Sequence, residues 1–264
     1  MTKFITVNNK KGGTGKTATS ALLAVYFSKI GKTCVIDADE SGNCTKRFTQ
    51  EVLATSKLCR IFEKQEVFPM KIRENLDLVA GTFELEKVNT DLINRLNRTL
   101  LFKIYLNRFK TFDKYDYVVI DTRNDSNIIT NNMLVVSDLV LGVTDPSADG
   151  YEALINLQEH VRWLKDELFS LETGQSYVNA RVVFLGNKIA HNTSVSNNFK
   201  QVIMEDPTFI GYLQERTAFE EASLQRISLL DLFDQEKYQQ SKYKEFKNQT
   251  YRLLERIKKC VDSI

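Results

Sequence analysis

Short apolar runs recur along the chain, at Phe4–Val7, Thr33–Ile36, Leu76–Ala80, Tyr117–Ile120, Leu139–Val143 and Arg181–Leu185. Each is four or five residues long and nearly unbroken by polar positions, the mark of a strand buried on both faces. The stretches between them read as helical. The clearest runs from Ala18 to Lys29, with apolar positions at Leu22, Leu23, Val25, Tyr26 and Ile30. Gly31 then follows as a helix-terminating glycine. Strands alternating with helices predict an α/β fold: a mostly parallel twisted sheet with helices on both faces. The last segment adds a helical stripe at Tyr243, Phe246, Leu253, Ile257, Cys260 and Ile264, expected to pack on the sheet.

The chain has 264 residues, three prolines and no Pro/Gly/Ser-rich linker, so residues 1–264 read as a single domain. No run of 18 apolar residues occurs, and no transmembrane helix is expected. The first strand begins at residue 3, leaving no room for a signal peptide or an N-terminal helix-turn-helix module. Cys34, Cys44, Cys59 and Cys260 show no CxxC spacing, which favours a reduced, cytoplasmic protein. His160 and His191 are the only histidines. A zinc site or a serine–histidine triad is therefore not expected.

Candidate chemistry begins at the end of the first strand, with Lys10-Lys11-Gly12-Gly13-Thr14-Gly15-Lys16-Thr17. A strand, a glycine-rich turn and Gly-Lys-Thr opening a helix form the context of a phosphate-binding loop, and hence of a P-loop NTPase. The glycines let successive backbone N–H groups converge on phosphate oxygens, and the helix N-terminus adds partial positive charge. Lys16 would reach the β- and γ-phosphates, and the Thr17 hydroxyl would bind Mg²⁺. Two further acidic positions end apolar strands. Asp37-Ala38-Asp39-Glu40-Ser41-Gly42-Asn43 follows the second, and Tyr117–Ile120 leads into Asp121-Thr122. Carboxylates at the carboxyl ends of parallel strands point into the crevice where such sheets bind ligands. Asp121 fits a Walker B aspartate that holds Mg²⁺.

The loop departs from GxxxxGK[ST] in having Lys10 at the first glycine and a second lysine, Lys11, next to it. In this it resembles the deviant Walker A motif of the ParA/MinD group of P-loop ATPases. The segment Asp37–Asn43 resembles that group's switch I pattern Asp-x-Asp-Pro-Gln-Gly-Asn, with Glu40-Ser41 in place of Pro-Gln. Tyr115–Thr122 resembles its Walker B strand, with Arg123-Asn124 in place of two prolines. The weaker similarities lie at Thr144-Asp145-Pro146 and at Arg216–Phe219 with Ala222, a segment like that closing the nucleotide pocket in plasmid-type ParA proteins.

The resemblance implies ATP and Mg²⁺ as cofactors. It places nucleotide on Gly12, Gly13, Thr14, Gly15, Lys16, Thr17 and Ala18, with Asn187 and Arg216 at its far side. Metal would lie on Thr17, Asp39 and Asp121. Asp39 would position the attacking water. Lys11 would be free to point outward and reach the nucleotide of a partner subunit, giving an ATP-bound homodimer with catalytic contributions from Lys11, Lys16 and Asp39. Ala18 replaces a Thr or Ser that relatives often use on the α-phosphate, leaving its backbone N–H.

The function implied is DNA segregation: an ATP-dependent partition ATPase on nonspecific DNA, released by hydrolysis that a ParB-like centromere-binding protein stimulates. Its place would be the cytoplasm, on the nucleoid. The alternative is a MinD-like ATPase positioning a membrane or protein cargo. Residues 237–259 carry eight basic and two acidic side chains. They suit phosphate tracking without sequence readout, a solvated helix face, or a membrane-surface helix. The overall charge of +2 does not choose among them.

Overall fold

The computed structural model describes residues 1–191 and 193–264. Its centre is an eight-stranded sheet of β1 (Lys3–Asn8), β2 (Thr33–Ala38), β3 (Met70–Arg73), β4 (Leu76–Val79), β5 (Tyr117–Thr122), β6 (Leu139–Thr144), β7 (Arg181–Ile189) and β8 (Phe209–Gln214). The spatial order is β3-β4-β2-β5-β1-β6-β7-β8. All pairings are parallel except the edge hairpin β3–β4. β1 lies between β5 and β6, where the strand order changes direction, so the loop that follows it opens into the crevice at the carboxyl ends.

The apolar runs are strands because both sheet faces are covered. Along β1, Ile5 and Val7 face one layer and Phe4 the other, as the two-residue side-chain period requires. The first layer is α1 (Lys16–Ser28), α9 (Leu229–Phe233) and α10 (Lys244–Asp262), whose Leu22, Leu23, Phe233, Leu254 and Ile257 are buried together. The second contains α2 (Cys59–Phe62), α3 (Glu84–Asp91), α4 (Leu101–Arg108) and α5 (Ile128–Val136), with Phe62, Phe102 and Met133 in one cluster with Phe4. It continues with α6 (Ala148–Glu167) and α7 (Ser194–Glu205) over β6 and β7. The short α8 (Thr217–Leu224) packs against α9.

Several expectations change. β3 and β8 do not stand out in the sequence: both are edge strands, only partly buried, and β8 is interrupted by Gly211 at φ 145°. The run at Arg181–Leu185 extends to Ile189, which brings Asn187 inside β7. Gly31 does not end α1 in a left-handed conformation. Its N–H donates to Phe27 O at 2.9 Å, and a Cβ there would stand 2.9 Å from the Asp116 carboxylate, so close approach explains the glycine. Ile30, counted among the apolar positions of the first helix, lies beyond α1 and is 46% exposed. Of the C-terminal stripe, Phe246, Leu253 and Ile257 are buried, whereas Ile264 is exposed.

Candidate nucleotide site

The loop from Asn9 to Gly15 is built by side chains beneath it. Asn9 is fully buried; its Nδ2 donates to Val143 O at 2.8 Å and its Oδ1 accepts from Lys11 N at 2.9 Å. Gly13 (φ 74°) and Gly15 (φ 94°) take left-handed conformations that let the chain curl into the start of α1. A Cβ at Gly15 would also fall 2.1 Å from Asn187 Nδ2, which donates to Thr14 O at 2.8 Å. Asn187 therefore braces the loop from β7. Lys16 is 8% exposed and spans the loop, its Nζ donating to Lys11 O at 3.0 Å. Burial lowers its pKa, against the pull of Asp121, Asp39 and Asp125.

A cleft of about 450 Å³ lies over this loop. Gly12, Gly13, Gly15, Lys16, Thr17, Ala18, Asp39, Asn187 and Arg216 all line it. The predicted residues thus converge from the ends of β1, β2, β7 and β8. Thr14 and Asp121 lie beneath the cleft, both buried. Arg216 is held by Gln214 Oε1 at 2.6 Å and sits over the Phe246 ring, at 5.7 Å.

Some lining residues escape the sequence reading, Arg47 above all. Arg47 donates to Ile227 O at 3.1 Å and Ser223 Oγ at 3.2 Å, and burial lowers its pKa. Asn124 also lines the wall, as does Phe219 of the pocket-closing segment expected from the sequence. Arg47 has no local signal, since its partners are about 180 residues away in sequence.

Below the cleft, β2 and β5 place Asp37 and Asp121 side by side in register. Asp37 is satisfied: it accepts from Thr45 N at 2.7 Å, Thr45 Oγ1 at 2.8 Å and Asp39 N at 3.2 Å. It holds the loop after β2. Asp121 accepts from Ser20 Oγ at 2.7 Å through one oxygen; among the described residues its other buried oxygen has no partner in hydrogen-bond geometry, although the Thr17 hydroxyl is close enough to favour its charged form. Burial first, then the neighbouring Asp37, pushes Asp121 up to about 7; burial likewise raises Asp37 to about 6. An orphaned, desolvated carboxylate oxygen next to Thr17 is a cation-seeking arrangement. Among the described residues no cluster of three or more His, Cys, Asp or Glu side chains forms a protein-only metal cage. Mg²⁺ does not need one, because it retains water and takes one or two side chains plus phosphate. The residues present fit Mg²⁺.

Lys11 differs from expectation. Its Nζ donates to both Asp145 oxygens at 3.0 Å and to Ser147 Oγ at 2.7 Å, so it is engaged within its own chain. Burial alone would raise the Asp145 pKa; the hydrogen bonds from Ser147 and Lys11 outweigh it and hold the group low. The contact joins the loop after β1 to the turn after β6, a pairing that strand periodicity does not encode.

A phosphate-binding loop at the central strand of this sheet, with a lysine across it and an aspartate beneath, defines a P-loop nucleotide-binding protein. A family model described as an AAA domain matches residues 2–171, and the chain belongs to that family. Within it the chain is a ParA-like member. It is 29% identical over 174 residues to the sporulation initiation inhibitor protein Soj of Bacillus subtilis (strain 168), covering 64% of this chain and 68% of Soj. It is 28% identical over 146 residues to the chromosome partitioning protein ParA of Myxococcus xanthus (strain DK1622), covering 53% of this chain and 50% of ParA. The structure of a putative plasmid partition protein from Borrelia burgdorferi B31, bound to AMPPNP, superposes with a TM-score of 0.78 at 23% identity, over 98% of this chain and 99% of that one.

Proposed function

We propose that this chain is an Mg²⁺-dependent ATPase of DNA segregation, acting as a single domain in the cytoplasm. It would bind nonspecific DNA as an ATP-bound homodimer and be released when a ParB-like partner stimulates hydrolysis. The observation that carries this reading is the phosphate loop with its second lysine, Lys11, beneath a cleft of nucleotide size. The name of its relative ParA, a chromosome partitioning protein, supports the biological setting.

The loop N–H groups of Gly12 to Ala18 would hold the phosphates, with Lys16 as the main counter-charge. Asn187 fixes the loop from behind through Thr14 O, while Arg216 and Phe219 wall the far side of the cleft. Mg²⁺, held by Thr17 and the free oxygen of Asp121 with Asp39 close to its shell, would neutralise phosphate charge. Asp39 borders the cleft with one oxygen tied to Ser41 N at 2.9 Å. Its other oxygen can orient a water for in-line attack on the γ-phosphorus. Lys11, once released from Asp145, would supply positive charge to the partner's nucleotide. Lys11→Ala is expected to leave nucleotide affinity within about threefold but to abolish ATP-dependent dimerisation. Nucleotide titration alongside light scattering checks this; a collapse of affinity instead would mean that Lys11 acts within its own subunit.

The basic face of α10 supports the DNA reading over a membrane one. Its apolar stripe is packed on the sheet, so that stripe is not available to a membrane surface. Lys244, Arg252 and Arg256 are exposed. Lys247 instead donates to Phe233 O at 3.0 Å, so it is a structural cation. Anisotropy on random-sequence duplex across a salt series, with ATP or ADP, tests the reading. Binding should require ATP, through the avidity of two basic faces. The log–log salt slope should flatten by about one for every phosphate interaction that Lys244→Gln, Arg252→Gln or Arg256→Gln removes. Equal weak binding in both nucleotide states, or ATP-dependent binding to liposomes, would overturn it.

A further inference from the structure

Glu40 and Arg123 are departures from two different motifs, yet the fold joins them. The Arg123 guanidinium pairs with the Glu40 carboxylate, and its Nε lies 3.4 Å from Asp125 Oδ2. Asp125 is itself rooted at the start of α5: it accepts from Thr130 Oγ1 at 2.9 Å and Asn127 N at 3.2 Å. A continuous polar chain thus runs from the loop after β2, through the loop after β5, to a helix. Glu40 follows Asp39, and Arg123 lies between Thr122 and Asn124; Asp39, Thr122 and Asn124 all line the cleft. Asn124 Nδ2 lies 3.3 Å from where a Cβ on Gly12 would stand, so the same loop also bears on the phosphate loop.

We infer that Glu40 and Arg123 are positioning residues, a two-residue clamp that holds Asp39 over the nucleotide cleft. The inference rests on the ATPase reading above and deepens it. Where a proline-containing loop would stiffen through its fixed φ, this chain uses an ion pair between the two loops. The pair is half-exposed, with side chains 23% and 41% accessible for Glu40 and Arg123, so its effect on global stability is small. Its effect falls on the geometry of one side chain, and orientation at a reacting centre is reflected in kcat. Neither residue touches the bound phosphates in this scheme, so KM for ATP changes less than kcat.

The test is a double-mutant cycle on the full chain with Glu40→Gln, Arg123→Gln and the double variant. Two readouts are taken: ATP turnover against ATP concentration, and amide hydrogen exchange of residues 40–46 without nucleotide. Each single variant is expected to lower kcat by about two- to fivefold, the scale of a half-exposed ion pair. Exchange in 40–46 should accelerate to match. The double variant should lose no more than the worse single one in either readout. Multiplicative losses, or unchanged exchange in 40–46, overturn the clamp. A wild-type chain that shows no ATP turnover, while exchange in 40–46 still responds non-additively, fails the ATPase reading and overturns the role in hydrolysis, leaving only the pairing of the two loops.

Discussion

Lys16→Ala is expected to lose ATP binding almost completely. Among the described residues Lys16 Nζ has one hydrogen-bond partner, the Lys11 carbonyl, and it lies within the field of Asp121, Asp39 and Asp125. Without that ammonium, a triphosphate on the loop would meet the carboxylates of Asp121, Asp39 and Asp125 without the cation that offsets them. Charge-assisted hydrogen bonds contribute about 1.5–3 kcal/mol each. Losing two of them weakens affinity by about 10²- to 10⁴-fold. The ligand-free fold should be little changed, because removing a buried cation with a single hydrogen bond also relieves its desolvation. The measurement is thermal unfolding with and without ATP and Mg²⁺. Wild type should gain stability as ligand rises above its dissociation constant. The variant should show no shift, and a shift equal to wild type would remove Lys16 from the phosphate site.

Asp121→Asn should have opposite effects on stability and activity. Turnover is expected to fall by about 100-fold or more, since the buried oxygen assigned to Mg²⁺ becomes an amide. The nucleotide-free chain should become more stable near pH 8, by about 1–3 kcal/mol, because a desolvated carboxylate beside Asp37 is replaced by a neutral group of the same shape. The sign follows from the raised pKa. The folded state holds protons on Asp121 and Asp37 that the unfolded state gives up near pH 4. Wild-type stability from these groups is therefore greatest at low pH and is lost as pH rises from about 4 to about 7. The advantage of Asp121→Asn should fade towards pH 5, where the wild-type aspartate is protonated. Thermal unfolding at pH 5 and pH 8 decides; a variant less stable than wild type at pH 8 would show that the carboxylate is not held at a cost.

The parts of this structure that were legible in the sequence are those written in contiguous residues. β1, β2 and β4 to β7 are apolar because both faces are covered, and that demand is met within each strand. The phosphate loop, Asp39 and Asp121 sit at the ends of such strands, so finding the strands found them. The edge strands β3 and β8 escaped because an edge needs no unbroken apolar run; Lys71 and Arg73 alternate with Met70 and Ile72 in β3. The pairings Lys11–Asp145, Glu40–Arg123 and Asn187–Thr14 were invisible for another reason. Each joins residues between 83 and 173 positions apart, and periodicity carries no information about which loops meet. Lys11 stands out by its unusual position, but where its side chain rests depends on a carboxylate that only the fold brings near.

The central position of β1 also has a consequence for how the chain comes into being. β1 pairs with β5 and β6 and with no strand nearer in sequence. During synthesis at about 5–20 residues per second, the first strand waits roughly 6 to 23 s for residues 117–122 to emerge. In that interval β2, β3 and β4 can already pair with one another. The sheet edge is thus the earliest piece able to form, and the nucleotide site is among the last. A nucleotide held by the finished loop would stabilise the completed molecule and give no help to the nascent one, whose exposed first strand would be open to chaperone binding.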